Sequence, residues 1–146
     1  ISVLSNFKES VYYKIYSTSY KMWLDNKITG VGLNNYEEVC KNNKKYKFLS
    51  KNYGNCSSHP HNFYLQWLIE AGIIGFLMFI IFIFYIFKSF YKSRHLYSSK
   101  IGFISLIIIF WPIMSTGSLL KNWHGIETFF IIGISLLLSK KLSKTN

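Results

Sequence analysis

The sequence predicts an all-α fold: a polytopic helical membrane protein fragment with about three transmembrane helices, preceded by an outer-face amphipathic helix and a loop. Three observations predict it. Of 146 residues, 50% are hydrophobic, 19% aromatic and only 16% charged, a balance foreign to soluble domains. The apolar mass lies after residue 70 in long uncharged runs. The cations that interrupt these runs sit in membrane-flanking loops. An ordinary cytosolic enzyme is thereby excluded. Ile1 is not a start methionine and no signal-peptide pattern opens the chain, so a piece truncated at its amino terminus is expected. Residues 1–58 read as an extracytoplasmic helix and loop segment, and residues 59–146 as a single membrane domain holding a histidine motif and three spans.

From Glu9 to Asn26, Tyr12, Tyr16, Tyr20 and Trp23 recur at helical spacing, with Lys14, Ser17, Thr18 and Lys21 on other faces. This predicts a helix lying at the headgroup level. Asp25, Asn26 and Lys27 should end it, and Gly30 to Asn35 should turn the chain, because glycine accepts backbone angles that side chains forbid. Gly30 and Gly32 are not a dinucleotide loop, since the third glycine of that fingerprint would fall at Asn35 and no buried strand precedes. They read as close-approach backbone, with a substrate phosphate as a candidate neighbour.

Cys40 and Cys56 stand 16 positions apart in a loop rich in lysine and asparagine. On an oxidising face a disulfide is favoured, with a chain-entropy contribution of about 3 kcal/mol. The alternative gathers Cys40, Cys56, His59 and His61 as a zinc tetrad, but their spacing fits no zinc signature, and no metal or other cofactor is expected.

The segment from Ser58 to Gly75 is the richest in chemistry. Pro60 suits a first helical turn, so a helix is expected to begin there and run directly into the first span. On it Asn62, Gln66 and Glu70 would form one polar stripe at i, i+4 and i+8, facing protein or a water-filled cavity. His61 and Gly72, about three turns apart, would share a face, and Gly72 and Gly75 would let a second helix approach. Imidazole titrates near neutral pH and serves as a general base, which marks His61 and His59 as candidates. The plainer reading makes the histidines helix caps and gives Gln66 and Glu70 hydrogen bonds to a neighbouring helix.

Ala71 to Phe87 carries no formal charge and is long enough to span, with an extension upstream through Leu65 to Ile69. Ile101 to Leu120 supplies a second span, which Pro112 should kink, leaving a carbonyl for Ser115 or Thr116 to accommodate. Thr128 to Ser139 is short for a third unless Trp123 to Glu127 joins it at the interface. Lys88, Lys92, Arg94 and Lys100, and then Lys140, Lys141 and Lys144, mark cytoplasmic loops, which places residues 1 to about 70 outside. The lysines from Lys41 to Lys51 argue the other way, but a long segment translocates regardless of charge. The net charge of +11 includes one arginine, Arg94, and the cations are dispersed, so no nucleic acid is expected and the lipid bilayer is the partner. His124, beside Trp123, reads as an interface anchor.

The pattern G-x-G-L-x-N at Gly30 to Asn35, followed by H-P-H-N-x-x-L-Q-x-x-x-E-x-G-x-x-G from His59 to Gly75, resembles the carboxy-terminal part of the bacterial O-antigen ligase and polymerase family. His61 and Gly72, separated by ten residues, are its most specific element. The resemblance implies a multi-pass glycosyltransferase of the inner membrane with a periplasmic active face. The implied donor is a glycan on undecaprenyl pyrophosphate, and the acceptor is lipid A core or another glycan. His61 would be the catalytic base, with His59, Asn62, Gln66, Glu70, Gly30, Gly32 and Lys27 around the substrate. The family's outer-side arginines have no counterpart here: upstream sequence would supply them, or Lys21 and Lys27 replace them, or the chain is inactive. Two other classes compete, a non-catalytic membrane module that binds glycan or a partner protein, and a transport protein whose polar stripe lines a pathway.

Overall fold

A computed structural model describes residues 10–50, 56–113 and 115–143. Among the described residues the chain is helical without strands: α1 (Val11–Asp25), α2 (Tyr36–Asn42), α3 (Lys44–Ser50), α4 (Phe63–Glu70), α5 (Gly72–Lys92), α6 (Tyr97–Ile109) and α7 (Asn122–Ser143). These form two compact units, Ile1–Phe76 with Ser115–Ser118, and Leu77–Met114 with Leu119–Asn146.

In the first unit, α1 starts where Ser10 Oγ accepts a hydrogen bond from the Tyr13 amide at 3.1 Å, satisfying one of the helix's orphan donors. Its buried residues are Thr18, Ser19 and Met22, small or slender groups that bring α3 and α4 close, while Tyr12 and Tyr20 stay exposed. Met22, Tyr36, Cys40, Tyr46, Cys56 and Ile69 form the core, with Trp23, Val31, Val39 and Leu65 packed against it. Cys40 and Cys56 are joined in a disulfide inside this core, their Cα atoms 5.7 Å apart. No thiolate is left for the zinc tetrad. At the surface Asp25 accepts from Lys45 Nζ at 2.6 Å and from the Tyr46 hydroxyl, and these bonds hold its carboxyl below the usual range.

The glycine turn locks onto the junction of α4 and α5. The Val31 amide donates to the Ile69 carbonyl at 2.9 Å, and the Gly32 amide to the Glu70 carbonyl at 2.9 Å. In return the Ile73 amide donates to the Lys27 carbonyl at 2.8 Å. Gly30 (φ +72°) lies so close that a Cβ there would stand 2.5 Å from the Glu70 carbonyl. Gly72 (φ +65°) meets the Ile28 carbonyl in the same way. Positive φ costs a non-glycine residue about 1–2 kcal/mol before any collision is counted.

This junction corrects the expected continuous helix. Pro60 and His61 precede α4, and Asn62 is its N-cap, the side chain accepting from the Leu65 amide at 3.1 Å. The helix then stops at Glu70, and α5 starts afresh at Gly72, whose left-handed backbone breaks the regular hydrogen-bond ladder. The segment received at Gly72 is the 28–29 backbone rather than a helix, and Gly75 lies against Ala71 and Trp67. His61 and Gly72 therefore do not share a helical face.

α5, whose residues from Leu77 onward belong to the second unit, has 21 residues and is the one described helix long and apolar enough to cross a membrane. At 1.5 Å per residue it is about 30 Å long, the thickness of a hydrocarbon core. α6 has only 13 residues and ends at Ile109, two positions before Trp111. Pro112 lies beyond it in a turn, so the expected kinked helix from Ile101 to Leu120 is not formed. Proline supplies no amide donor and disfavours helical geometry at the preceding residue, here Trp111, so it terminates the helix instead of bending it. α7 includes Trp123 to Glu127, which lengthens the third apolar helix, but its apolar stretch Trp123–Leu137 remains shorter than a full span. α6 packs on α7, and Phe87 meets Phe103 edge-on with ring centroids 5.2 Å apart. Arg94 stacks over the Tyr91 ring at 4.5 Å. Lys51 and Lys144 lie outside the described residues, as do the side chains of Lys140 and Lys141.

Candidate functional site

The histidine motif is a loop from Cys56 to Asn62, tied at one end by the disulfide and at the other by the N-cap of α4, with Pro60 fully buried between. His61 adopts φ +55°, a left-handed conformation uncommon for a residue bearing a Cβ. Such strain persists only where surrounding contacts impose it. Here the His61 carbonyl accepts from the Thr116 amide at 2.9 Å. The Thr116 carbonyl lies 3.3 Å from His59 Nε2, so one residue holds both histidines.

The two imidazoles are neighbours, their centroids 4.2 Å apart, and Tyr12 from α1 presents its ring edge-on to His61 at 6.1 Å. Ser57 Oγ lies 3.2 Å from His61 Nε2 and 2.7 Å from the His59 carbonyl. His59 Nδ1 lies 2.9 Å from Ser58 Oγ. Burial holds the His61 pKa below its ordinary value, because removing water penalises the charged imidazolium. The ring is thus neutral near physiological pH and able to accept a proton.

Gln66 and Glu70 lie one turn apart on α4, both buried. Glu70 Oε2 accepts from the Asn34 amide at 3.0 Å and from Gln66 Nε2 at 3.3 Å, and Oε1 accepts from the Tyr36 amide at 3.4 Å. Gln66 Nε2 also donates to Ser118 Oγ at 2.7 Å. Of the two surroundings expected for this polar stripe, protein or a water-filled cavity, Gln66 and Glu70 have protein: they bind the glycine turn and the 115–118 segment. Asn62 is occupied in capping. Gly30 faces the Ile69–Glu70 backbone and Gly32 the Asn35 side chain, and Lys27 contributes its carbonyl to the lock while its side chain is exposed.

The structure brings His59 and His61 together and adds Ser57, Thr116 and Ser118, which the sequence reading did not place in the site. For Ser57 the available signal was its position two residues before the H-P-H motif. Nothing in the sequence after Pro112 signalled that residues 115–118 return to this loop.

A strained histidine loop leads through a capped helix into an apolar helix long and apolar enough to cross a membrane, and this defines a helical protein with a candidate acid–base site. The O-antigen ligase family matches residues 5–80, more than half of the chain, and the chain belongs to that family. The match covers the glycine turn and the histidine loop and leaves 115–118 outside. No curated protein and no solved structure matches the chain significantly. The family is one of inner-membrane proteins with a glycan-transfer function.

Proposed function

We propose that the chain is part of a multi-pass glycosyltransferase acting at the periplasmic face. It moves a glycan from an undecaprenyl-pyrophosphate carrier to an acceptor sugar, either lipid A core or a growing glycan. His61 is the general base. It takes the proton of the acceptor hydroxyl as that oxygen bonds to the anomeric carbon, and the bond from that carbon to the pyrophosphate oxygen breaks with its electron pair leaving on the phosphate. A positioned base contributes about 10²–10⁴-fold to such a step. Negative charge gathers on the leaving pyrophosphate and calls for cations. The exposed Lys21 and Lys27, on either side of the end of α1, are the cations this segment brings.

The observation that carries this reading is His61 itself, held neutral by burial and forced into a strained backbone within the residues that match the family. A glycan-binding module without catalysis is the second reading, supported by the internal engagement of Asn62, Gln66 and Glu70. His61→Ala, expressed in the cell of origin at wild-type abundance, separates the two. Catalysis predicts loss of long-chain surface glycan by at least about 100-fold. A normal glycan ladder at unchanged abundance means that His61 is not the base.

A further inference from the structure

Hydrogen-bond accounting around Ser57 fixes which nitrogen of His61 is basic. A serine hydroxyl has one proton to donate and lone pairs to accept with. The His59 carbonyl, 2.7 Å away, is an acceptor only, so the Ser57 proton lies on that bond. Toward His61 Nε2, 3.2 Å away, the same oxygen is left as acceptor, so Nε2 must carry a hydrogen. A neutral imidazole carries one hydrogen, and the lone pair then resides on Nδ1. No hydrogen bond from a described residue reaches that atom.

His59 obeys the same logic with a different result. The Thr116 carbonyl accepts only, which puts the hydrogen of His59 on Nε2, and its Nδ1 meets Ser58 Oγ at 2.9 Å. Both nitrogens of His59 are engaged, whereas among the described residues His61 is hydrogen-bonded through Nε2 alone. The loop thus contains two neighbouring, mutually tilted imidazoles of which one offers a lone pair.

We propose that Ser57 is a positioning residue that holds His61 in its Nε2–H tautomer, and that Nδ1 of His61 is the atom that accepts the acceptor sugar's proton. His59 is the neighbour whose orientation Thr116 fixes. The tautomer follows from the geometry alone; the role of Nδ1 rests on the glycosyl-transfer reading above.

The test uses the whole protein in lipid nanodiscs with ¹⁵N-labelled histidine, at about pH 8, where His61, its pKa lowered by burial, is neutral. The His61 signals are assigned by their loss in His61→Gln. The expected spectrum shows a pyridine-type Nδ1 and a pyrrole-type Nε2. In Ser57→Ala the acceptor is gone and Nδ1–H appears alongside, while Ser57→Thr keeps the wild-type pattern. Transfer falls about twofold in Ser57→Ala, in proportion to the share of His61 in the Nδ1–H tautomer, and returns in Ser57→Thr. A pyridine-type Nε2 in the wild type, or an unchanged pattern in Ser57→Ala, overturns the tautomer assignment. Full transfer by His61→Ala overturns the role of Nδ1 and leaves the tautomer to be decided by the spectrum.

Discussion

Replacing Glu70 by glutamine distinguishes a carboxylate that holds the fold from one that waits for substrate. The wild-type group is 2% exposed and accepts hydrogen bonds from Asn34 N at 3.0 Å, Gln66 Nε2 at 3.3 Å and Tyr36 N at 3.4 Å. A glutamine keeps a single acceptor oxygen. Placed where Oε2 was, that oxygen retains the two shorter bonds but turns an NH₂ toward the Tyr36 amide, leaving a buried donor unpaired. One such orphan costs about 1–3 kcal/mol, and the bonds that remain lose their charge assistance. Glu70→Ala removes the acceptor from these donors and leaves at least the buried Tyr36 amide unpaired, for about 1–3 kcal/mol or more. In a unit of this size 1 kcal/mol moves the thermal midpoint by about 4–8 °C, so Glu70→Gln should lower it by roughly 10 °C. The assay is thermal unfolding of the detergent-solubilised protein by tryptophan fluorescence, with glycan transfer measured at a temperature where the variant stays folded. A midpoint within about 2 °C of wild type, together with lost transfer, would refute the structural role and return Glu70 to the substrate.

Three further outcomes follow from the same geometry. Gly72→Ala forces a Cβ into the Ile28 carbonyl at φ +65°, so destabilisation of at least about 2 kcal/mol is expected by thermal unfolding; a neutral result would mean that the turn and helix junction do not interlock. Cys56→Ser opens a 16-residue link and should cost about 3 kcal/mol; because Cys56 anchors the loop one residue before Ser57, transfer should fall with it, and retention of both stability and transfer counts against the tether. Burial lowers the His61 pKa below 6.5, so the neutral base persists as the solution is acidified. The acid limb of the transfer rate should fall through an apparent pKa below that value, and the contribution of neutral His61 to stability should be lost over the same interval. An acid limb centred above 6.5 contradicts a buried base.

How much of this was legible in the sequence depends on whether the cause was local. The end of α1 near Asp25, the turn at Gly30 and Gly32 and the apolar α5 follow from side-chain spacing and glycine freedom, which a short window contains. The break at Gly72 does not, because its cause is the backbone of residues 28–29 arriving from more than forty positions away. Asn62 was read as part of a stripe although asparagine is a strong N-cap; the proline two positions earlier drew the helix start too far upstream. Pro112 was legible as a perturbation but not as a terminator, since the residues after it, Thr116 and Ser118, are held by the histidine loop and by Gln66 rather than by a continuing helix. The histidines themselves were visible, whereas their orientation rests on Ser57 and on Thr116, which belong to non-periodic segments.

The account depends most on the histidine loop facing the periplasm. Ser58 is exposed within that loop, so a Ser58→Cys variant in intact cells, treated with a membrane-impermeant maleimide, reports its side directly. Labelling in intact cells to the level reached after permeabilisation is the predicted result. Labelling that appears only once the inner membrane is opened would place His61 in the cytoplasm, away from the acceptor, and the proposed transfer would fail.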